Sequence, residues 1–314
     1  MAVPGSPRRV FVTVVAFALV VSVGATASPS VAPVAVVAKI STGSRPCLAA
    51  PIRGRVWVSN YGSSDLVRVS PVTNRVVGLR VRVGSQPCGL AYAAGTVWVD
   101  GYGTNRLERL NLGRASVARR IPVGSRPYDV QFIAGTLWVS NSGGGTVVRV
   151  DPRTNRVVRR IRTGGGPANI SFAFGYVWVG STTGTSVFRI DPSTNAVTTV
   201  EAGGQAPTSV EAGDGSLWVA NSVDNTITRL DRETYRVLSV VSVGSRPGWP
   251  AQAGDGTILV PNNGDNTVSR VDPATNTVIE TIRVGAGPIV IRPAFGDLWL
   301  THLRGRQVWR LHVG

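Results

Sequence analysis

A short phrase with a tryptophan at its centre recurs along the chain at a nearly constant interval, and this interval restricts the fold more than any other feature. The copies centre on Trp57, Trp98, Trp138, Trp178, Trp218, Leu259 and Trp299, so the steps are 41, 40, 40, 40, 41 and 40 residues. A fixed period of this length is typical of proteins built from repeated supersecondary units. The sequence therefore predicts seven structural repeats.

The repeats share one internal order. Each opens with Gly-x-x-Pro, continues with an apolar run and a Gly turn, and then reaches the tryptophan phrase. Two further short runs follow, separated by a turn such as residues 151–155, Asp-Pro-Arg-Thr-Asn. Short β-branched runs between Gly, Pro, Asn and Asp indicate strands and turns. Four strands in a unit of about 40 residues are typical of a propeller blade. We therefore predict an all-β, seven-bladed β-propeller with four-stranded antiparallel blades.

The seventh repeat lacks an outer strand of its own, because only residues 307–313 follow the last tryptophan phrase as a strand. Residues 38–43 match residues 159–164, which end the outer strand of the third repeat. We predict that the N-terminal strand pairs in the last blade, which closes the ring and removes two sheet edges. The propeller domain is expected to cover residues 35–314 after a linker at 28–34, and to be a monomer.

Residues 1–27 have the features of a secretory signal peptide. Arg8 and Arg9 form a charged start, residues 11–23 are apolar, and residues 25–27 (Ala-Thr-Ala) form an A-x-A cleavage site. A membrane anchor is the alternative, but the apolar run is short for a span. No later segment is long and apolar enough to cross a membrane. We expect an exported protein, extracellular or associated with the cell wall.

Two cysteines, Cys47 and Cys88, stand directly after the repeated Pro in the first two repeats. With an inner ring radius of roughly 7–8 Å, equivalent points on adjacent blades lie roughly 6–7 Å apart, near the limit for a disulfide. Export permits oxidation, and the cysteine count is even. The sequence predicts a Cys47–Cys88 disulfide, with two free buried thiols as the alternative.

Candidate binding residues lie where the seven copies differ, around the Gly-x-x-Pro links and the loops after the tryptophan phrase. Both sets of loops are expected on one face of the propeller, at the mouth of its channel. The candidate ligand-binding residues are Arg45, Arg126, Tyr128, Asp129, Asn169, Arg246, Trp249, Asn60, Asn141, Asn221 and Asn262. Together they suit an anionic or polar aromatic ligand. The alternative is that these loop positions have no function and that their residues changed freely among the copies.

We call the central residue of each tryptophan phrase, Leu259 included, the anchor. An arginine stands eleven residues after every anchor: Arg68, Arg109, Arg149, Arg189, Arg229, Arg270 and Arg310. Seven equivalent placements favour a structural role over a single site. We expect a buried stem with the guanidinium paired to a turn carboxylate such as Asp151.

The positive charge is unevenly distributed along the chain. Arg8 and Arg9 belong to the predicted signal, which leaves 31 basic and 17 acidic residues. Residues 43–163 contain 19 Arg and 5 acidic residues, whereas residues 164–314 contain 11 Arg and 12 acidic residues. A basic flank could hold a polyanion such as nucleic acid, an anionic wall polymer or lipid headgroups. Solvated surface is the alternative, and codon bias could inflate Arg, because only one of the 33 basic residues is Lys.

The aligned repeats resemble secreted YVTN-type β-propellers and, more loosely, streptogramin (virginiamycin B) lyases. The similarity rests on units such as residues 138–141 (Trp-Val-Ser-Asn) and 148–158, and it covers about residues 38–314. It implies the fold, because such repeats specify blades and not an activity. The lyase family opens a lactone by elimination, with a His base and a divalent metal. Only His302 could match that base, and the Glu usual in the lyase phrase is missing from every copy. Gluconolactonase-like propellers hold a metal with channel carboxylates, for which Asp129 and Asp100 are the candidates here.

The sequence thus favours a binding or interaction module for an anionic or polar ligand, bound at the channel mouth or the basic flank. The partner would be a small anionic or aromatic ligand or an extracellular polyanion. No cofactor and no metal site are expected, since two His and two Cys show no metal-ligand spacing. The alternative is a lyase-like enzyme that opens a cyclic depsipeptide lactone with His302 as catalytic base, assisted by a divalent metal such as Mg²⁺.

Overall fold

The structure, a computed structural model, describes residues 1–2 and 33–313, so all but two residues of the predicted signal peptide lie outside the described part. The first strand is β1 (Val34–Ser41). Blade one contains β2 (Pro46–Ile52), β3 (Arg55–Asn60), β4 (Asp65–Ser70) and β5 (Arg75–Arg82). Blade two contains β6 (Leu90–Ala93), β7 (Thr96–Gly101), β8 (Arg106–Asn111) and β9 (Ser116–Pro122). Blade three contains β10 (Pro127–Ile133), β11 (Thr136–Asn141), β12 (Thr146–Asp151) and β13 (Arg156–Arg162).

The later blades repeat this order. Blade four contains β14 (Pro167–Ala173), β15 (Tyr176–Ser181), β16 (Ser186–Ile190) and β17 (Val197–Glu201). Blade five contains β18 (Pro207–Gly213), β19 (Ser216–Asn221), β20 (Thr226–Leu230) and β21 (Val237–Ser242). Blade six contains β22 (Ala251–Gln252), β23 (Ile258–Asn262), β24 (Thr267–Asp272) and β25 (Thr277–Arg283). Blade seven contains β26 (Pro288–Ala294), β27 (Asp297–His302) and β28 (Gln307–Val313), with β1 as its outer strand.

The seven sheets confirm the predicted seven-bladed propeller, and each sheet has four antiparallel strands. The strands follow sequence order in every blade except blade seven. In blade seven the order is β1-β28-β27-β26. The β1–β28 ladder runs from Val34 opposite Val313 to Ser41 opposite Gln307. Ile40 of β1 is buried in a cluster with residues of blades one and seven. The predicted closure of the ring by the N-terminal strand is therefore confirmed.

The repeated tryptophan is a core residue of every blade except blade six, where the buried Leu259 takes its place. In blade three, Trp138 stands opposite Gln131 on β10 and Arg149 on β12, and its side chain is fully buried. Its indole Nε1 donates to the carbonyl of Ile133, and the same bond to the residue five positions back recurs for four further tryptophans: Trp98, Trp178, Trp218 and Trp299. A buried indole needs such a partner for its N–H. The repeat is thus explained by packing.

In four blades the repeated arginine connects the blade to the turn of the next one; these arginines are Arg149, Arg189, Arg229 and Arg310. The guanidinium of Arg149 lies 4.6 Å from the Trp138 ring centroid and donates to the carbonyl of Pro192 and to Asn195 Oδ1 in the next blade. Arg229 and Arg310 bond the equivalent Pro and Asn. The turn carboxylate is occupied elsewhere, since Asp151 accepts the backbone N–H of Arg153 at 2.7 Å. The expected partner, the carboxylate of the Asp-Pro turn, is therefore wrong. Arg229, Arg270 and Arg310 do pair with carboxylates, but these lie at or just before the start of the second strand of the same blade: Asp214, Asp255 and Asp297. The contacts favour a structural role for the repeated arginine.

Blade six departs from the repeat at its inner strand, which has only two residues. Pro250 has no N–H to give to a ladder, so the strand cannot extend through it. Trp249 instead bonds to blade seven, where its N–H donates to the Ile289 carbonyl at 2.8 Å and its carbonyl accepts from Ile291. Its side chain packs in one buried cluster with Leu48, Leu90 and Val290. Trp249 therefore lies across the channel, between blades one, two and seven.

Candidate functional site

The predicted face carries a small pocket, the upper pocket, of about 180 Å³. Its lining residues are Arg45, Cys47, Tyr61, Cys88, Tyr102, Tyr128, Trp249, Ile289, Val290 and Leu303. The cysteines form the predicted disulfide, with Cα atoms 5.2 Å apart. Tyr128 lies beside Trp249 with ring centroids 6.2 Å apart, and the Arg45 guanidinium lies over the Tyr61 ring at 4.9 Å. The pocket is therefore a narrow aromatic site with one arginine at its edge.

The structure gathers Arg45, Tyr128 and Trp249 of the predicted set in this pocket and separates the remaining residues from it. Arg126 borders a shallower depression together with Gln86 and Tyr102, and Arg246 is exposed without lining the pocket. Tyr61 and Tyr102 were not among the predicted binding residues. Both stand four residues after an anchor, where the other blades have Ser142, Thr182, Ser222, Asn263 and Leu303, so a comparison of copies at that position would have found them.

The four predicted asparagines are buried inside their blades and do not line the upper pocket; they are Asn60, Asn141, Asn221 and Asn262. Each side-chain amide donates to the residue five positions later, for example from Asn221 Nδ2 to Thr226 Oγ1 at 3.0 Å. Each also packs under the first Gly of its Gly-x-x-Pro link. The asparagines thus hold in place the loops on the face of the propeller that carries the upper pocket.

His302 takes the same place in blade seven. It is buried, its Nδ1 lies 3.2 Å from the Gln307 carbonyl, and its ring packs 5.0 Å from Trp309. Nε2 faces Gly285 and has no hydrogen-bond partner among the described residues. Burial lowers the pKa of His302 to about 4, so the imidazole is neutral at pH 7. No carboxylate of the described chain contacts the ring, and this geometry makes His302 the counterpart of the asparagines.

Buried polar side chains connect the inner strands of neighbouring blades below the upper pocket. Asp129 accepts the N–H of Ile170 in blade four at 2.9 Å, and Asn169 accepts the N–H of Val210 in blade five at 3.2 Å. Burial raises the pKa of Asp129 to about 6, against the opposing effect of its hydrogen bond from Ile170. Asp100 accepts two backbone N–H groups of its own blade, and burial raises its pKa well above the usual range. These two carboxylates therefore hold the backbone of the inner strands in place.

The same two carboxylates are the candidates for a channel metal. Within residues 1–2 and 33–313, no group of three or more His, Cys, Asp or Glu side chains is placed to hold a metal ion. Both oxygens of Asp129 and both oxygens of Asp100 already accept backbone N–H groups. The described residues therefore do not fit the carboxylate metal site of the gluconolactonase-like pattern.

The opposite end of the channel holds a much larger cavity, the lower cavity, of about 890 Å³. It is bordered by the second halves of the inner strands, and the loops we selected from the sequence do not contribute to it. Its charged lining residues are Glu211, Arg292 and Asp297, and its aromatic lining residues are Tyr92, Phe132 and Phe172. Trp249 separates the two ends, since it lines the upper pocket and lies 5.4 Å from the Arg292 guanidinium of the lower cavity.

A third feature is the outer surface of blades one to three. We define the basic flank as the exposed arginines of β5, β9 and β13: Arg75, Arg80, Arg82, Arg119, Arg120, Arg156, Arg159, Arg160 and Arg162. Arg80 and Arg120 pair with Asp65 and Glu108, and these acids are only 3% and 1% exposed while the arginines remain 43% and 57% exposed. The ion pairs therefore anchor the arginines and leave them accessible.

The acidic residues of this half of the ring are withdrawn from the surface. Within residues 43–163, Asp65, Asp100, Glu108 and Asp129 are buried and Asp151 is half-buried, so none is exposed. Sixteen of the 19 arginines in the same range are exposed. The outer face of blades one to three thus has a strongly positive potential. In the part of the chain that the structure describes, no helix could span a membrane.

Comparisons with known proteins agree with the fold. A family described as a repeat of unknown function (DUF6923) matches residues 128–258, which is less than half of the chain. A search of curated proteins finds no match. Among solved structures, virginiamycin B lyase from Staphylococcus aureus superposes with a TM-score of 0.77 at 14% identity, covering 90% of this chain and 100% of that chain.

Two further structures show how widely the architecture is shared. A streptogramin B lyase has a TM-score of 0.74 at 17% identity, covering 87% of this chain and 94% of its own. The WD40 β-propeller domain of Doa1 has a TM-score of 0.73 at 12% identity, with 88% and 96% covered. At such identities the likeness concerns the fold, which hosts unrelated functions. The resemblance to the lyases is confirmed at that level, and the chain is similar to lyases and to a WD40 domain alike.

Proposed function

We propose that this protein is an exported binding propeller whose basic flank attaches to a polymer that carries phosphate groups. One observation carries the proposal: residues 43–163 expose sixteen arginines and no acidic side chain. A surface of this kind attracts polyanions through released counterions, without needing a shaped pocket. The guanidinium group also matches phosphate in geometry, because its fork of N–H donors can bond two oxygens at once.

The arrangement of the strands supports an extended partner. Nine of the sixteen arginines, the basic flank, stand on β5, β9 and β13, the outer strands of three consecutive blades, so they form a band around the outside of the ring. Arg75, Arg119, Arg159 and Arg162 have no hydrogen-bond or ion-pair partner among the described residues. Their charges are therefore available to a ligand at no cost to the packing of the blades.

Codon bias alone does not explain the band. A bias towards Arg would act on the whole chain, yet residues 164–313 expose six arginines and also six acidic residues. The excess is local to blades one to three. Export is supported by the Cys47–Cys88 disulfide, because disulfides persist in oxidising compartments.

The test uses a fourfold variant, Arg75→Gln, Arg119→Gln, Arg159→Gln and Arg162→Gln. The probes are inorganic polyphosphate, a DNA duplex and vesicles with anionic phospholipid, which distinguish the sources of the phosphate. We expect the parent to bind at least one probe and the variant to bind about 100-fold more weakly at low salt, since each phosphate contact contributes to affinity. Fluorescence anisotropy or co-sedimentation measures the difference.

The matched control makes the same charge change on the other half of the ring, with Arg232→Gln, Arg236→Gln, Arg283→Gln and Arg306→Gln. All four side chains are exposed. The control should bind like the parent. Equal weakening of both variants would mean that net charge matters and the flank does not, and a parent that binds none of the three probes would refute the proposal.

A further inference from the structure

The lower cavity is a second site, separate from the basic flank. Its volume of about 890 Å³ lies within the range of small-molecule sites. It is bordered by inner strands, which are held on both sides by neighbouring blades, so its walls are preformed. The shared architecture does not require its polar groups, because they come from a position at which the seven blades differ.

That position is the residue opposite the anchor in the inner-strand ladder. Going around the ring it is Ala50, Ala91, Gln131, Ser171, Glu211, Ala251 and Arg292. The polar members belong to blades three, four, five and seven. Glu211 and Arg292, 81 residues apart, meet across the channel with a 2.8 Å bond from Nη1 to Oε1. Asn169 Nδ2 donates to the same oxygen at 3.2 Å.

The ion pair retains bonding capacity on the cavity side. Nε and Nη2 of Arg292 and Oε2 of Glu211 have no partner among the described residues, and none of the three atoms is sealed from solvent. The Gln131 amide is likewise without a partner in the described part of the chain. Partial burial of an ion pair costs hydration and contributes little to stability. Free donors and free acceptors thus lie side by side on an ion pair whose own charges balance.

Three aromatic residues line the same cavity, and each directly follows the residue opposite the anchor in blade two, three or four. They are Tyr92, Phe132 and Phe172, and the residues Phe132 and Phe172 are 44% and 53% exposed. Exposed aromatic rings in a cavity offer flat apolar faces to a ligand. The cavity therefore combines flat apolar surfaces with paired donors and acceptors.

We propose that the lower cavity binds a neutral oligosaccharide. A sugar hydroxyl both donates and accepts, so it suits an arginine N–H beside a carboxylate oxygen, and the C–H face of a sugar ring covers an aromatic ring. A ligand with a net charge would meet one attractive and one repulsive partner in the Glu211–Arg292 pair. An uncharged polyhydroxylated ligand avoids this conflict.

The test is titration calorimetry of the full exported chain with neutral trisaccharides of glucose, galactose, mannose and N-acetylglucosamine. We expect at least one to bind, and the double variant Phe132→Ala, Phe172→Ala to bind it about tenfold more weakly. Gln131→Ala should also weaken binding. The control is Phe295→Ala, an exposed phenylalanine that does not line the cavity and whose loss should leave affinity unchanged.

Two outcomes would overturn the proposal. One is no binding of any of the four sugars at millimolar concentration by protein that melts normally. The other is binding that Phe295→Ala weakens as much as the double variant does. The basic-flank variant should bind the sugar like the parent, so the result is independent of attachment to a polyanion.

Discussion

Blades one to three and blades four to seven are built from the same repeat, and they differ in their surface charge. The first group exposes sixteen arginines and no acidic residue within residues 43–163, while the second exposes six of each within residues 164–313. Packing in the core restricts which residues can stand at the anchor and at the arginine position eleven residues later. The outer strands are under no such restriction, so the charge of a blade can change while its fold stays the same. The difference therefore points to a function of the first group.

The two groups are joined through blade seven, where β1 supplies the outer strand. A chain that starts at Thr42 should lose most of its folded, monomeric population, because β28 becomes an open edge and the partners of Ile40 become exposed. The control is a chain that starts at Ser28. Size-exclusion chromatography and melting curves compare the two, and equal melting temperatures would contradict closure by β1.

The Cys47–Cys88 disulfide joins blades one and two, and within the described residues blades four to seven contain no counterpart. It closes a loop of 41 residues, for which the loop-entropy account gives about 4 kcal/mol. The double variant Cys47→Ser, Cys88→Ser should melt several degrees lower than the parent. Dithiothreitol should lower the melting temperature of the parent and leave the variant unchanged. If dithiothreitol lowered the melting temperature of both proteins, loss of the disulfide would not explain the change.

Asp129 in the first group and Asn169 in the second accept equivalent backbone bonds with side chains of different charge. The pKa of Asp129 is raised to about 6, chiefly by burial, whereas an unfolded Asp titrates near 4. Between about pH 4 and about pH 6, the folded protein therefore keeps a proton on Asp129 that the unfolded protein has lost. The free energy of unfolding falls by about 3 kcal/mol as the pH rises through this range.

The variant Asp129→Asn should remove this dependence, because Asn169 already shows that an amide can accept the equivalent N–H. Relative to the parent, the variant should gain stability as the pH rises from 4 to 7. Asn169→Asp is the converse variant and should introduce a second dependence of the same sign. Denaturant unfolding at several pH values measures both. A parent and an Asp129→Asn variant with parallel pH profiles would contradict the raised pKa.

The smallest effect is expected at His302, where the blade-seven copy replaces the asparagine of blades one, three, five and six. His302→Asn should change the free energy of unfolding by less than about 1 kcal/mol, since Asn fits the same place elsewhere. A lactone-opening assay with a cyclic depsipeptide and Mg²⁺ accompanies the melting curve. If the parent turned over this substrate and His302→Asn did not, His302 would be catalytic and not only a packing residue.

The sequence predicted the fold because every repeat carries the same packing signal, and seven copies leave little freedom in strand order. It also predicted the disulfide, since Cys47 and Cys88 occupy equivalent places on adjacent blades. The side-chain roles were harder to predict. Asn141 is buried because its amide packs under Gly124 and donates from Nδ2 to the Val123 carbonyl at 3.3 Å. This contact joins a strand to the link that precedes its blade, and no local pattern encodes it.

The lower cavity was missed for a similar reason. Glu211 and Arg292 belong to different blades, and only the ring brings them together across the channel. Trp249 could not be placed either, because its bonds to blade seven depend on the break that Pro250 makes in its own strand. The sequence does show that the residue opposite the anchor varies among the seven copies. This variation identifies the position in the blade, but it does not show which of the seven side chains contact one another.

The salt dependence of polyanion binding tests the central claim most directly, namely that the exposed arginines of blades one to three form the attachment surface. The affinity of the parent for a DNA duplex is measured across a series of salt concentrations, beside the basic-flank variant and the matched variant of the other half. The slope of log affinity against log salt should be shallower by about four for the basic-flank variant and unchanged for the matched variant. Equal slopes for all three proteins would contradict the claim.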